Sequence, residues 1–246
     1  MQNNTVTQLN LPAIKTKTYE PDQAKSSANS YDIDLSHHWF GTELIAITQP
    51  YAAQVEALRV LRGQLMMRWF DEQHRALAIV STKAGEGCSY LSANLAVVFA
   101  QLGQRTLLID ANLRDPRQHQ IFKLKTNSGL TDILAGRTDL NSAMQIESLE
   151  NLSVLCAGSL SSSPLELLSR ASFMALMKQA VAHYDVVLVD TTPVAITADA
   201  QVTVKQCGSA LLVSRLNHTK LSDLTEMRDQ IAITGAQIIG SVINDF

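Results

Sequence analysis

The chain has 246 residues, 46% of them hydrophobic and 17% charged, with a formal net charge of −3. That is enough for one α/β domain with an appended tail, and the small negative balance gives no reason to expect nucleic acid or anionic lipid as a partner. Three cysteines at scattered spacings (Cys88, Cys156, Cys207) suggest neither a disulfide framework nor a zinc site, a reduced cytosol suits them, and no run reaches the roughly 18 apolar residues of a membrane span.

Residues 1–42 are polar, rich in Asn, Ser, Thr, Gln and Lys, and without periodicity. They read as a disordered leader with neither the basic start nor the apolar core of a signal peptide. Residues 43–246 read as a single domain. Within 48–70 a helix is expected from Pro50, because proline suits a first turn. Tyr51, Val55, Leu58, Leu61, Leu65 and Trp69 recur along it at helical spacing. Beside that stripe lie Glu56, Arg59 and Arg62. They form either a solvated face with local ion pairs, each worth ~0.2–0.5 kcal/mol, or a charged seam for a neighbouring subunit.

The stretch ALAIVSTKAGEGCSYLSANLA (76–96) organises the rest. An apolar strand breaks into a loop with Gly85 and Gly87, and a helix follows over 89–102. Strand, glycine loop and helix are the layout of a phosphate-binding P-loop. The glycines admit phosphate oxygens close to the backbone, and the first helical N–H groups point at the anion. Against G-x-x-x-x-G-K-[ST], Thr82 replaces the first glycine and Cys88 the lysine, while Gly87 and Ser89 are kept. Lys83 takes the place of the extra lysine in the deviant loops of partitioning ATPases. At a helix N-terminus a thiol is acidified, so Cys88 reads either as a redox-sensitive gate or as a tolerated loss of lysine.

Further on, RTLLID is expected as a buried strand ending on Asp110, followed by a turn with Asn112 and Arg114. A short helix over 129–135, a short strand over 153–156 and a helix entered at Pro164 come next. DVVLVDTTP is a buried strand ending on Asp190. A helix over 198–206, the strand SALLVSR, a helix over 220–233 and the strand QIIGSVIN, ending on Asn244, complete the chain. Alternating strands and helices imply an α/β fold with a doubly wound, mostly parallel sheet. Ligands of such sheets bind at the carboxyl ends of the strands. There Ser89, Asp110 and Asp190 offer the hard oxygens that Mg²⁺ prefers.

STKAGEGCS, LLIDANLR, VLVDTTP and EALRVLR, in their order along 48–246, resemble the degenerate Walker A loop, second acidic motif, Walker B strand and E-x-x-R-x-x-R helix of the bacterial tyrosine kinases (BY-kinases), in particular the stand-alone chain-length-determinant kinases of EpsG type. The resemblance implies a P-loop NTPase of the MinD/BY-kinase type that binds ATP or ADP with Mg²⁺. It implies a transferase that phosphorylates tyrosine and controls exopolysaccharide chain length and export. Backbone of Ala84, Gly85, Glu86, Gly87, Cys88, Ser89 and Tyr90 would wrap the phosphates, and Asn244 would read the adenine edge. Ser89, Asp110 and Asp190 would hold the metal. Asp110, Asn112, Lys83 and Arg114 would serve catalysis, with Asp110 also able to accept the tyrosine proton. Glu56, Arg59 and Arg62 would join copies into a homo-oligomer. The cytosolic segment of a membrane chain-length regulator is the implied partner, recruiting a cytoplasmic protein to the inner face of the membrane.

Three departures point to attenuated activity. Cys88 removes a preorganised donor, a loss of roughly 3–4 kcal/mol at the transition state. Asn112 lacks the charge of the usual second acid. No tyrosine cluster closes the chain: Tyr19, Tyr31, Tyr51, Tyr90 and Tyr184 all lie elsewhere. A nucleotide-binding scaffold that transfers nothing is therefore the competing reading, followed by a positioning ATPase of the MinD and ParA type.

Overall fold

The apolar runs become the centre of a seven-stranded sheet in the computed structural model, which describes residues 40–126 and 128–245. β1 (Ala76–Ser81), β2 (Thr106–Asp110) and β5 (Val186–Asp190) are buried along their whole length. Strands covered on both faces need no polar alternation, so these segments read as continuous hydrophobic runs. β3 (Met144–Ile146) and β4 (Leu149–Leu155) make one side of the sheet, and β6 (Ser209–Arg215) with β7 (Gln237–Asn244) the other. The order is β3-β4-β2-β5-β1-β6-β7, with only the β3–β4 pair antiparallel. The doubly wound, mostly parallel sheet is thus as expected. The edge strand β3 is too short to show a pattern in sequence. The leader expectation falls almost entirely outside the described residues.

Helices cover both faces. α1 (Ile45–Thr48), α2 (Ala53–Arg68) and α3 (Cys88–Gln101) pack on the face that presents Leu77, Ile79, Leu108 and Leu188. The opposite face presents Leu107, Ile109, Val187 and Val189 to α5 (Leu130–Leu134), α6 (Pro164–Leu168) and α7 (Ala171–His183). α8 (Asp199–Cys207) and α9 (Leu221–Ala232) close over Ala78, Val80, Ala210 and Leu212. α4 (Gln118–Ile121) is a single turn after β2.

Two sequence expectations are corrected here. The first long helix starts at Ala53, not Pro50, and Tyr51 is 94% exposed rather than part of the buried stripe. Ala52 is extended, so the proline turn ends before the helix begins. Sequence reading also passed over α7. Its Phe173, Leu176, Met177 and Ala180 are buried at i, i+3, i+4 and i+7, a periodicity that could have revealed it.

Polar side chains on α3 and α2 tie the N-terminal segment to the P-loop helix. The Asn94 carbonyl oxygen accepts from the Ala46 N–H at 3.0 Å, and its amide donates to the Glu43 and Tyr90 carbonyls at 2.8 and 2.9 Å. The Arg62 guanidinium donates to the Val98 carbonyl at 2.7 Å. That carbonyl belongs to the last turn of α3, where helices leave acceptors unfilled and favour cations.

Candidate functional site

β1 delivers the chain into the loop 82–87, and α3 starts immediately after it. Gly85 and Gly87 adopt φ of +82° and +89°, where a side chain would be strained. Glu86, only 1% exposed, folds its carboxylate back into the loop. It accepts from the Thr82 N–H at 2.7 Å, the Thr82 hydroxyl at 2.6 Å, the Lys83 N–H at 3.1 Å and the Thr219 hydroxyl at 2.6 Å. Glu86 is therefore the strut of the loop, and Thr82, in the place of a glycine, is one of its anchors. From β7 the Asn244 amide donates to the Glu86 carbonyl at 2.9 Å, which brings the last strand to the loop. The amides of Gly87, Cys88 and Ser89 lie at the start of α3, where no preceding turn supplies carbonyls. They form an anion-facing helix end.

Cys88 does not present its thiol at the helix end, where its position suggested an acidified group. Its Sγ turns inward and donates to the Ile79 carbonyl at 3.1 Å, an oxygen that also accepts from the Thr191 hydroxyl at 2.8 Å. Burial pushes the thiol well above its usual range, and the nearby Asp190 carboxylate adds to the shift. The buried, inward-turned thiol lends no support to the redox-gate reading. Lys83, exposed on the loop, pairs with Asp223 of α9 at 2.5 Å.

The acidic residues converge as the topology requires. β2 and β5 are neighbours with Asp110 opposite Asp190 in register, and both are fully buried. Asp110 accepts from the N–H groups of Asn112, Arg117 and Gln118 at 3.2, 3.0 and 2.9 Å. Burial raises its carboxyl well above the usual range, and the Asp190 carboxylate raises it further. Burial also raises Asp190, against the pull of the Ser89 hydroxyl and the Gln118 amide that face it. Gln118, which sequence reading did not single out, joins the parts of the site. Its amide donates to Asp190 Oδ2 at 2.8 Å and to the Ser89 carbonyl at 3.1 Å, while its N–H serves Asp110. Nothing in its spacing marks it, because contact across the sheet end creates its role.

Asp190 Oδ1 is buried and has no hydrogen-bond partner among the described residues. An orphaned carboxylate oxygen beside Ser89 and Asp110 is a hard-oxygen donor set that fits Mg²⁺. Among the described residues no group of three or more His, Cys, Asp or Glu side chains is spaced to hold a metal. A cation here would therefore complete its shell with water or phosphate.

The remaining candidates are engaged within the chain. Asn112 accepts from the Thr192 hydroxyl at 3.1 Å and the Asp115 N–H at 3.2 Å. Arg114 forms a fork on Asp199 of α8, at 2.7 and 3.3 Å. Tyr90 sits half-buried in the first turn of α3, and burial raises its phenol. On α2, Glu56 and Arg59 pair with each other, and Arg62 leans onto α3.

A family model described as AAA_31, an AAA domain, matches residues 74–234. The tyrosine-protein kinase YwqD of Bacillus subtilis is 35% identical over 82% of this chain and 85% of that protein. The tyrosine-protein kinase etk of Escherichia coli is 31% identical over 88% of this chain, which spans 30% of that protein. Among solved structures, the kinase domain of E. coli ETK aligns with a TM-score of 0.80, 31% identity and coverage of 85% of this chain and 82% of that one. The chimerical protein CapA2B2 aligns with a TM-score of 0.77 and 32% identity, covering 83% of this chain and 90% of that one. MinD of Pyrococcus horikoshii, solved with Mg-ADP, shares the fold at a TM-score of 0.61 and 24% identity, over 70% of each chain. Fold and loop define a P-loop NTPase. The chain belongs to the bacterial tyrosine-protein kinase family.

Proposed function

We propose that this chain is a nucleotide-binding, protein-tyrosine-kinase-like subunit that controls exopolysaccharide chain length and export, with catalysis attenuated by Cys88. The observation that carries this reading is the Asp110–Asp190 pair in register beside Ser89, with Asp190 Oδ1 unpartnered among the described residues. Two buried like charges are costly unless a cation joins them. Mg²⁺ held by Ser89, Asp190 and Asp110 would neutralise phosphate charge in the bound nucleotide. The Gly87–Ser89 amides would cradle the phosphates, and Asp110 would either reach the Mg²⁺ through water or take the tyrosine proton. The neighbour solved with Mg-ADP supports nucleotide and magnesium as the ligands.

A second reading, the non-transferring scaffold, is favoured by one specific feature. Cys88 supplies no charge to the cradle, and the nearest replacement, Lys83, is committed to Asp223. In either reading Glu56 and Arg59 would contribute to a seam between copies. The partner would be the cytosolic segment of a membrane chain-length regulator, which would bring the chain to the membrane. No helix among the described residues is itself long and apolar enough to cross one.

Incubation with labelled ATP and Mg²⁺, with and without that segment, separates the readings. Label on tyrosine is the kinase result, and tight nucleotide binding without label is the scaffold result. Cys88→Lys is expected to raise transfer by about 10²–10³, the value of one restored preorganised donor. An inert Cys88→Lys protein that still binds nucleotide tightly would contradict the attenuated-kinase reading.

A further inference from the structure

At the sheet end that carries Asp110, the loop after β4 and the helix α5 enclose a cavity of about 310 Å³. That lies at the small end of ligand sites, roughly 300–1,000 Å³. The β2–β4 register sets Ile109 opposite Leu155, so Asp110, the last residue of β2, lies beside Cys156, where the chain leaves β4. Neither the acidic pair nor the glycine loop lines the cavity.

Its lining is cationic and hydroxylic. Arg137, from the turn after α5, and Arg170, the residue before α7, both face it, with Ser159 and Ser161, and no carboxylate lines it. Asp132 lies behind and is fully committed. Its Oδ1 takes the Arg137 fork at 3.0 and 2.8 Å, and its Oδ2 accepts from the Gly129 N–H at 2.9 Å. Asp132 therefore balances Arg137. Arg170 reaches the Leu134 carbonyl at 3.4 Å and has no ion-pair partner among the described residues. One positive charge remains in excess. Thr131, 2% exposed, also lines the cavity, and its Oγ1 has no hydrogen-bond partner among the described residues. A buried hydroxyl left unpaired is uncommon in a folded chain and points to a group that arrives from outside. Ala135, Leu160 and Leu167 make the apolar wall, with Leu160 84% exposed.

We propose that this cavity binds a phosphotyrosyl side chain, with the phosphoryl group on Arg170 and Arg137 and the ring against Leu160 and Leu167. A planar guanidinium forks onto phosphate oxygens, and hydroxyls complete the shell of a dianion. The apolar wall distinguishes an aryl phosphate from a bare anion. The assignment rests on the tyrosine-kinase reading, because that activity generates the ligand.

Fluorescence anisotropy of a labelled phosphotyrosyl peptide on the full chain tests it, with the unphosphorylated peptide and inorganic phosphate as competitors. The phosphopeptide is expected to bind, the unphosphorylated peptide not to compete, and phosphate to compete only weakly. Arg170→Ala, at an exposed position, is expected to weaken binding at least tenfold at an unchanged melting temperature, and Thr131→Val several-fold. Unchanged affinity in Arg170→Ala, or no binding by the parent, overturns the site. Phosphate competing as well as the phosphopeptide overturns the aryl assignment. Nucleotide affinity is measured on the same samples. Its loss with Arg170-dependent peptide binding intact would sink the kinase reading and leave the pocket standing, and the reverse pattern would sink the pocket alone.

Discussion

Asp190 concentrates the physics of the site in one side chain. It is fully buried, opposite another buried carboxylate, with one oxygen unpartnered among the described residues. Both carboxyls are raised above their usual 3.8. A carboxyl raised on folding contributes stability that is full below its unfolded value and is lost as pH rises through the folded value. Metal-free protein should therefore lose stability from about pH 4 upward, and Mg²⁺ should restore it. Asp190→Asn removes the like-charge repulsion. At neutral pH without metal it should raise the thermal midpoint by roughly 2–4 °C, equivalent to about 1 kcal/mol in a chain of this size, and it should flatten the pH dependence. A lowered midpoint would show that the carboxylate stabilises the fold instead. Asp110, Asp190, Ser89 and the cysteine in place of lysine were all legible in sequence, because each sits at a fixed offset from an apolar run. The direction of Cys88 was not, since the carbonyl that receives its thiol lies nine residues earlier, on β1. Gln118 escaped for the same reason: its partners are 29 and 72 residues away.

At the scale of elements, the loop depends on Glu86 and the α2–α3 pair on Arg62. Glu86→Ala removes the acceptor for four donors. Nucleotide affinity should fall about tenfold or more as the loop loses its preorganised shape; calorimetry of the variant checks this, and parent-like affinity would show that the strut is dispensable. On α2, Arg62 and Arg59 should behave differently. Arg62→Ala uncovers the Val98 carbonyl and should cost about 1 kcal/mol of stability, read by urea unfolding. Arg59→Glu disturbs only an exposed pair with Glu56. It should leave stability within ~0.5 kcal/mol and shrink the assembly on a sizing column. An unchanged elution would remove that residue from the seam. The stripe Val55, Leu58, Leu61 and Leu65 was plain from its spacing, whereas the true start of the helix was not, because proline marks a first turn without saying which kind.

The molecule as a whole is a mostly parallel sheet whose strand ends gather a glycine loop, two carboxylates and the last strand at one place. That gathering follows from strand order: β1 lies between β5 and β6, and β5 between β1 and β2. The alternation of strands and helices announced the fold class, but the order in the sheet is a property of packing and appears in no local pattern. The account stands or falls on whether this sheet end binds nucleotide through a metal despite Cys88. Calorimetric titration with ATP, with and without Mg²⁺, on the parent and on Asp190→Asn tests it most directly. Magnesium-dependent binding by the parent, lost in Asp190→Asn, is the predicted result. Affinity in the parent that ignores magnesium, or that survives the substitution undiminished, would contradict it.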